Sequence, residues 1–225
     1  MPLLYSIGKI TVGKAMIIGW RPRVEGLENI PATGGAIFAG NHLSVADELF
    51  LGSVVPRHIA FWAKAEYFRG GGVSGTLTKF MMKGLGAIKV ERGGGRAALT
   101  AFDGAIPVLK SGDLVAVYPE GTRSPDGRLY RGRTGAARLA VAAGVPIIPV
   151  GMIGTEKVQP IGRPYPKWGQ GKGEVTVKFG KPIETIGRDD DRTALRTLTD
   201  EVMAEIQKLT GQEYVPRYAP PRAES

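Results

Sequence analysis

Gly40-Asn41-His42-Leu43-Ser44-Val45-Ala46-Asp47 is the stretch on which the reading of this chain turns. Just before it, Ala36-Ile37-Phe38-Ala39 is a short apolar run of the kind that forms a buried strand. Just after it, Ser44 to Leu51 reads as a helix start, with Ser44 as N-cap and Asp47 three residues on. His42 therefore falls in a strand-to-helix turn, a place where catalytic side chains are often presented. Two readings of Asp47 stand at this point. It completes a capping box and His42 is an ordinary polar loop residue, or it reaches back to fix the imidazole tautomer and stabilise the imidazolium that forms on proton uptake. The helix start beside His42 favours a neutral ring, and an acidic partner opposes that shift.

Working outward, strand-like and helix-like segments alternate, which predicts an α/β layer architecture. Arg21 to Ile30 reads as a short strand and turn, and Pro31-Ala32-Thr33-Gly34-Gly35 as a tight connection. Strands are expected at 58–63, 86–90, 114–118, 146–150 and 174–179. Helices are expected at 73–85, 96–109 (with Pro107 awkwardly near its end), 134–143 and 191–209. Segment 73–85 mixes Leu77, Phe80, Met81, Met82 and Leu85 with Lys79 and Lys83, a basic amphipathic helix that suits a core helix with its lysines outside, the wall of an apolar tunnel or a membrane contact. Gly93-Gly94-Gly95 matches no full Walker or dinucleotide fingerprint and reads as a connector, although such a run before a helix can cradle phosphate.

The apolar run 3–20 is broken by Lys9 and Lys14, so it makes a poor transmembrane span, and it lacks the shape of a signal peptide. It fits an interfacial helix whose lysines meet anionic lipid, and equally a core helix whose lysines face water. The expected organisation is an interfacial helix over 1–20, one domain over 21–210 and a surface tail over 211–225. Without an export signal or a true span, the expected location is the cytoplasmic face of the cell membrane.

At 225 residues the chain can bury one substantial core. It contains no cysteine, which removes thiol nucleophiles and disulfides. The two histidines, His42 and His58, form no HExxH, and no GxSxG elbow is present, so neither metal nor serine-hydrolase chemistry has its signature. The formal charge of +9 calls for an anionic partner, whether nucleic acid, membrane surface or phosphorylated substrate. Arg57 to Arg96 holds eight basic residues against Glu66 and Glu91, whereas Glu184 to Glu205 holds seven acids against three arginines. The basic residues interleave with glycines more than with aromatics, which speaks against a nucleic-acid module.

Three further stretches join the histidine turn. Gly86-Ala87-Ile88-Lys89-Val90-Glu91-Arg92, Tyr118-Pro119-Glu120-Gly121-Thr122-Arg123-Ser124 and Val145-Pro146-Ile147-Ile148-Pro149-Val150 follow His42-x4-Asp47 in order. Together the four blocks resemble those of the glycerolipid acyltransferases, the PlsC-like lysophosphatidate acyltransferase family, over roughly Val24 to Gly180. Lys64-Ala65-Glu66 resembles that family's Lys-x-Glu segment. Tyr118 stands where phenylalanine is common, and Glu48-Leu49 follows the first block at positions that vary.

The resemblance implies a single-domain acyltransferase fold with a mixed sheet flanked by helices and an N-terminal membrane-associating helix. It implies an O-acyltransferase that moves a fatty acyl group from acyl-CoA or acyl carrier protein to the hydroxyl of lysophosphatidate, giving phosphatidate. Glycerol 3-phosphate or another lysophospholipid or glycolipid is the alternative acceptor, and a non-catalytic anionic-lipid or nucleic-acid binding module is the alternative of another class. By resemblance His42 is the general base, oriented by Asp47, with no acyl-enzyme. Arg92 and Glu120, Gly121, Thr122 and Arg123 are then the acceptor's phosphate and glycerol site, where a guanidinium fork suits phosphate oxygens. No metal and no cofactor beyond the thioester donor is implied, and the membrane surface is the expected partner. Arg128, Arg131, Arg133 and Arg138 add positive charge suited to the donor's phosphates or to lipid headgroups.

Overall fold

Five consecutive residues from Ala36 to Gly40 are buried on both faces, which only a central strand covered by two layers allows. The computed structural model describes residues 2–69, 72–90, 94–163 and 165–220. Along it run α1 (Leu3–Gly8), α2 (Lys14–Trp20), β1 (Arg23–Glu25), β2 (Ala36–Gly40), α3 (Ala46–Val54), β3 (Ile59–Ala60), β4 (Trp62–Lys64), α4 (Glu66–Arg69), α5 (Gly72–Gly84) and β5 (Ile88–Val90). They are followed by α6 (Gly94–Lys110), β6 (Leu114–Val117), β7 (Leu129–Tyr130), α7 (Gly135–Ala143), β8 (Ile147–Ile153), α8 (Thr155–Val158), β9 (Thr176–Phe179), α9 (Arg192–Thr210) and β10 (Tyr214–Val215).

Six strands form one sheet in the order β1-β9-β8-β2-β6-β3. β8, β2, β6 and β3 run parallel, β9 is antiparallel to β8, and β1 is parallel to β9. The sheet is therefore mixed, and helices cover both faces. Phe38, Ala116, Ile148 and Val150 face Met16 and Trp20 of α2 and Phe50 and Leu51 of α3. Ile37, Ala39, Val115 and Ile147 face α6, α7 and α9 through Leu109, Leu139, Leu195, Leu198 and Val202. Burying a Leu, Ile or Phe side chain contributes about 1.5–3 kcal/mol, so this three-layer core dominates the stability.

Several boundaries differ from expectation. The strand expected at 58–63 breaks at Phe61 into β3, in the main sheet, and β4, which pairs with β5 in a separate two-stranded sheet. α6 runs through Pro107 to Lys110. β8 continues past Val150 to Ile153 and ends at Gly154, whose φ of 79° lies in the left-handed region. Residues 211–220, expected as a surface tail, return to the domain. β10 pairs parallel with β7, and Val215 and Ala219 bury against Tyr130.

Segment 3–20 is helical throughout, with a π-helical turn over Lys9–Gly13 between α1 and α2. Tyr5, Gly13, Met16 and Trp20 face the domain. The two lysines part company. Lys14 is exposed, whereas Lys9 turns inward, and its Nζ donates to the carbonyl of Val55 at the C-terminal end of α3.

Candidate functional site

The parallel strands β2 and β6 end together, with Ala39 paired to Val117, and the chain that leaves each supplies the site. Crevices at the carboxyl ends of parallel strands are the usual binding places of open α/β sheets. Asn41 carries the β2–β8 pairing one rung further with its side chain. Its Nδ2 donates to the Met152 carbonyl at 2.8 Å and its Oδ1 accepts from the Met152 amide at 2.7 Å. This buried amide fixes where β2 stops, and the next residue is His42.

The turn after Asn41 is built around Asp47, which has no exposed surface. Its Oδ2 lies 2.8 Å from His42 Nδ1 and accepts from the amides of Leu43 at 2.8 Å and Ser44 at 2.9 Å. Its Oδ1 accepts from the Thr155 hydroxyl at the start of α8. Four donors converging on one carboxylate leave the Nδ1 proton on the ring and the lone pair on Nε2. The His42 side chain is 15% exposed, whereas that of Asp47 is fully buried. The N-cap of α3 is Val45 and not Ser44. Ser44 Oγ accepts from the Ala46 amide at 3.0 Å and donates to the Gln159 carbonyl at 2.6 Å, tying the turn to α8.

The 118–124 turn grips His42 from the β6 side. The Tyr118 ring stacks on the imidazole, with centroids 3.9 Å apart and planes inclined by 11°. Glu120, 1% exposed, accepts from the His42 amide at 3.1 Å with Oε1 and from the Tyr130 amide at 2.9 Å with Oε2. Ser124 donates its amide to the His42 carbonyl at 2.7 Å. Gly121, at φ 76°, closes the turn, and a Cβ there would stand 3.1 Å from Arg133 Nε, so close approach and backbone shape both favour glycine.

Glu120 was expected in the acceptor's phosphate and glycerol site; in the structure each of its oxygens accepts from a backbone amide. Burial pushes its carboxyl up to about 7, against those two amide bonds. Thr122 and Arg123 are partly exposed on the same turn, and Arg123 shares its field with Glu48. Burial, with Asp47 beside it, pushes Glu48 up to about 7, opposed by Arg123. Arg92, expected to anchor the acceptor phosphate, lies outside the described residues.

The added arginines sit close by. Arg131 and Arg133 lie over the Tyr218 ring at 5.6 and 4.9 Å, and Arg128 pairs with Asp126 at 2.6 Å. A groove of about 520 Å³ adjoins Leu43 and Ser124, and its lining includes the apolar Met152, Ile153 and Ile161 and the polar Glu156, Thr210 and Gln212. Among the described residues, no three His, Asp or Glu side chains converge as metal ligands.

Sequence reasoning brings His42, Asp47 and the 120–123 turn together, and they do meet. It misses Asn41, Glu48, Tyr118 and Thr155. Asn41 and Tyr118 stand inside the quoted blocks, whereas Thr155 is 108 residues from Asp47 and no spacing announces it.

The sequence model of the Acyltransferase family matches residues 21–153. A chloroplast 1-acyl-sn-glycerol-3-phosphate acyltransferase of Arabidopsis thaliana is 30% identical over 180 residues, which cover 80% of this chain and 48% of that one. The 1-acyl-sn-glycerol-3-phosphate acyltransferase of Bacillus subtilis is 28% identical over 191 residues, covering 83% of this chain and 87% of that protein. The chain thus spans about half the length of the plant relatives and most of the Bacillus one. The crystal structure of the 1-acyl-sn-glycerophosphate acyltransferase PlsC of Thermotoga maritima superposes with a TM-score of 0.66 at 31% identity, covering 92% of this chain and 79% of that one. The buried Asp47 against His42, the turn that grips the histidine, and the match over residues 21–153 agree: this chain belongs to the acyltransferase family.

Proposed function

We propose that this protein transfers a fatty acyl group from an acyl thioester to the free hydroxyl of lysophosphatidate, with His42 as general base. The observation that carries this reading is the 2.8 Å contact between His42 Nδ1 and a fully buried Asp47, which leaves Nε2 as the proton acceptor. The names of the family relatives support the acceptor.

In the reaction, Nε2 takes the proton of the acceptor hydroxyl as its oxygen attacks the thioester carbonyl. The tetrahedral intermediate collapses, the carbon–sulfur bond breaks, and the leaving thiolate receives the proton from the imidazolium. Asp47 stabilises that imidazolium and holds the ring's tautomer throughout. No covalent enzyme intermediate is needed, and the site requires no cofactor besides the donor, acyl-CoA or acyl carrier protein. Arg123, with Thr122 beside it, is the cation this proposal assigns to the acceptor phosphate.

The enzyme works at a membrane surface, on the cytoplasmic face in this proposal. Among the described residues no helix is long and apolar enough to cross a bilayer. Leu3, Ile7, Ile10 and Ile18 are nevertheless exposed on the N-terminal helix, and Leu77, Phe80 and Met81 on α5, which packs against α1. Such faces sink into the headgroup boundary.

The test is free-thiol release from palmitoyl-CoA or palmitoyl carrier protein in lipid micelles, with and without lysophosphatidate. Lysophosphatidate-dependent release that disappears in His42→Ala is the expected result. Glycerol 3-phosphate as the better acceptor would move the substrate assignment, and full activity in His42→Ala would end the general-base mechanism.

A further inference from the structure

We infer that Tyr118 is a positioning residue for the base: its ring is the platform that holds the His42 imidazole in its working plane. The inference rests on the reading of His42 as general base.

Asp47 alone does not hold the ring in one plane. Its single contact to Nδ1 holds one ring atom at 2.8 Å, and the imidazole, hinged at Cγ, can still tilt through small changes in χ1 and χ2. Tilting carries Nε2, on the far side of the ring, away from an incoming hydroxyl. A second constraint out of the ring plane stops that motion, and Tyr118 is the group that supplies it, stacked at 3.9 Å and 11°. Misplacing a reacting atom by about 1 Å costs on the order of 100-fold in rate, so the platform matters for turnover more than for binding.

Topology explains why the platform sits there. Ala39 pairs with Val117, so Tyr118 stands level with Gly40, one step beyond β6 and two residues short of Glu120. The same turn binds the His42 amide through Glu120 and the His42 carbonyl through Ser124. One short turn thereby restrains backbone and ring together. The ring's face also attracts positive charge as the imidazolium forms. The part that matters is the ring: the Tyr118 hydroxyl is buried and makes no hydrogen bond among the described residues. Burial and the nearby Glu48 and Asp47 carboxylates keep that phenol neutral.

Two variants separate ring from hydroxyl. Tyr118→Leu is expected to lower kcat by about 10- to 100-fold while acceptor KM stays within about threefold. Tyr118→Phe, which keeps the ring, is expected to restore kcat to within about threefold of the parent. With only two histidines in the chain, His42 ring protons can be followed by NMR and assigned against His42→Ala. The ring current of a stacked phenol shifts them upfield in the parent and in Tyr118→Phe, and the shift is lost in Tyr118→Leu.

An unchanged kcat in Tyr118→Leu overturns the inference, as does a Tyr118→Phe variant that falls as far as Tyr118→Leu. Absence of the upfield shift overturns it without reference to activity, which covers a variant too unstable to assay. If His42→Ala keeps full turnover, the general-base reading fails instead, and the NMR shift still reports whether the stack exists.

Discussion

Asp47 shows how two readings of one residue become one at atomic scale. The oxygen that lies against His42 Nδ1 also accepts from the amides of Leu43 and Ser44, which precede the Val45 N-cap of α3. Closing the turn and holding the imidazole are performed by one atom, so sequence spacing could not separate them. Replacing Asp47 with Asn puts an amide N–H among four donors and removes the charge that stabilises an imidazolium. The expected loss is about 10³- to 10⁴-fold in kcat, measured as thiol release at saturating acceptor. Glu48 makes a different prediction. Its folded value of about 7 stands above the ordinary 4.5, so its contribution to stability is fully present below about 4.5 and lost as pH rises through about 7. Urea melts of Glu48→Gln against the parent should therefore show the variant gaining relative stability between pH 5 and pH 8. An equal difference at both pH values would mean that Glu48 is not desolvated. His42, Asp47 and the 120–123 turn were legible because each lies in a contiguous block. The Thr155 hydroxyl on Asp47 was not, since it arrives from a distant strand end and depends on where β8 stops.

Among the elements, α3 was legible from its start signal, Ser44 with Asp47 three residues on, to within one residue of its Val45 N-cap, yet what ends it was not. Its last turn leaves carbonyls without intrahelical partners. One of the neighbouring carbonyls, that of Val55, is taken by Lys9 from the N-terminal helix, 46 residues away. Read on sequence, Lys9 and Lys14 looked alike as breaks in an apolar run; in the fold only Lys9 reaches the domain. Burial lowers the Lys9 ammonium below its ordinary value, as expected for a charge that has left water. Lys9→Met should cost about 1–2 kcal/mol in urea-derived stability through the orphaned carbonyl. Lys14→Met, on the exposed side, should stay within about 0.5 kcal/mol. Equal effects for the pair would remove the Val55 contact from the account. The break between β3 and β4 escaped sequence reading for a related reason. His58 to Ala63 is one apolar run, and nothing in its composition says that Ile59–Ala60 pairs with β6 while Trp62–Lys64 turns away to β5.

At the scale of the whole molecule, alternating strands and helices were enough to predict an α/β layer architecture, because a strand apolar on both faces has few other places to go, while the mixed sheet was implied by the family resemblance alone. What patterning left open is which apolar surface stays outside. The structure leaves Leu3, Ile10 and Ile18 at 76%, 61% and 68% exposure on the N-terminal helix, and Phe80 at 65% on α5 beside it. The two helices meet where Leu4 lies against Gly84, so tight that a Cβ there would fall 2.1 Å from the Leu4 side chain. Their outward side chains therefore belong to one surface. If that surface docks on lipid, each large apolar side chain withdrawn from water contributes about 1.5–3 kcal/mol. The double variant Ile10→Glu/Ile18→Glu removes two of them and adds two charges that anionic headgroups repel. Flotation with anionic vesicles should then weaken by at least about 100-fold, while the thermal melt stays close to that of the parent because neither side chain is buried. Turnover on micelle-dispersed lysophosphatidate should fall less than turnover on vesicle-bound lysophosphatidate, since only the second requires docking. Unchanged flotation of a folded double variant would show that lipid contact is made elsewhere on the molecule.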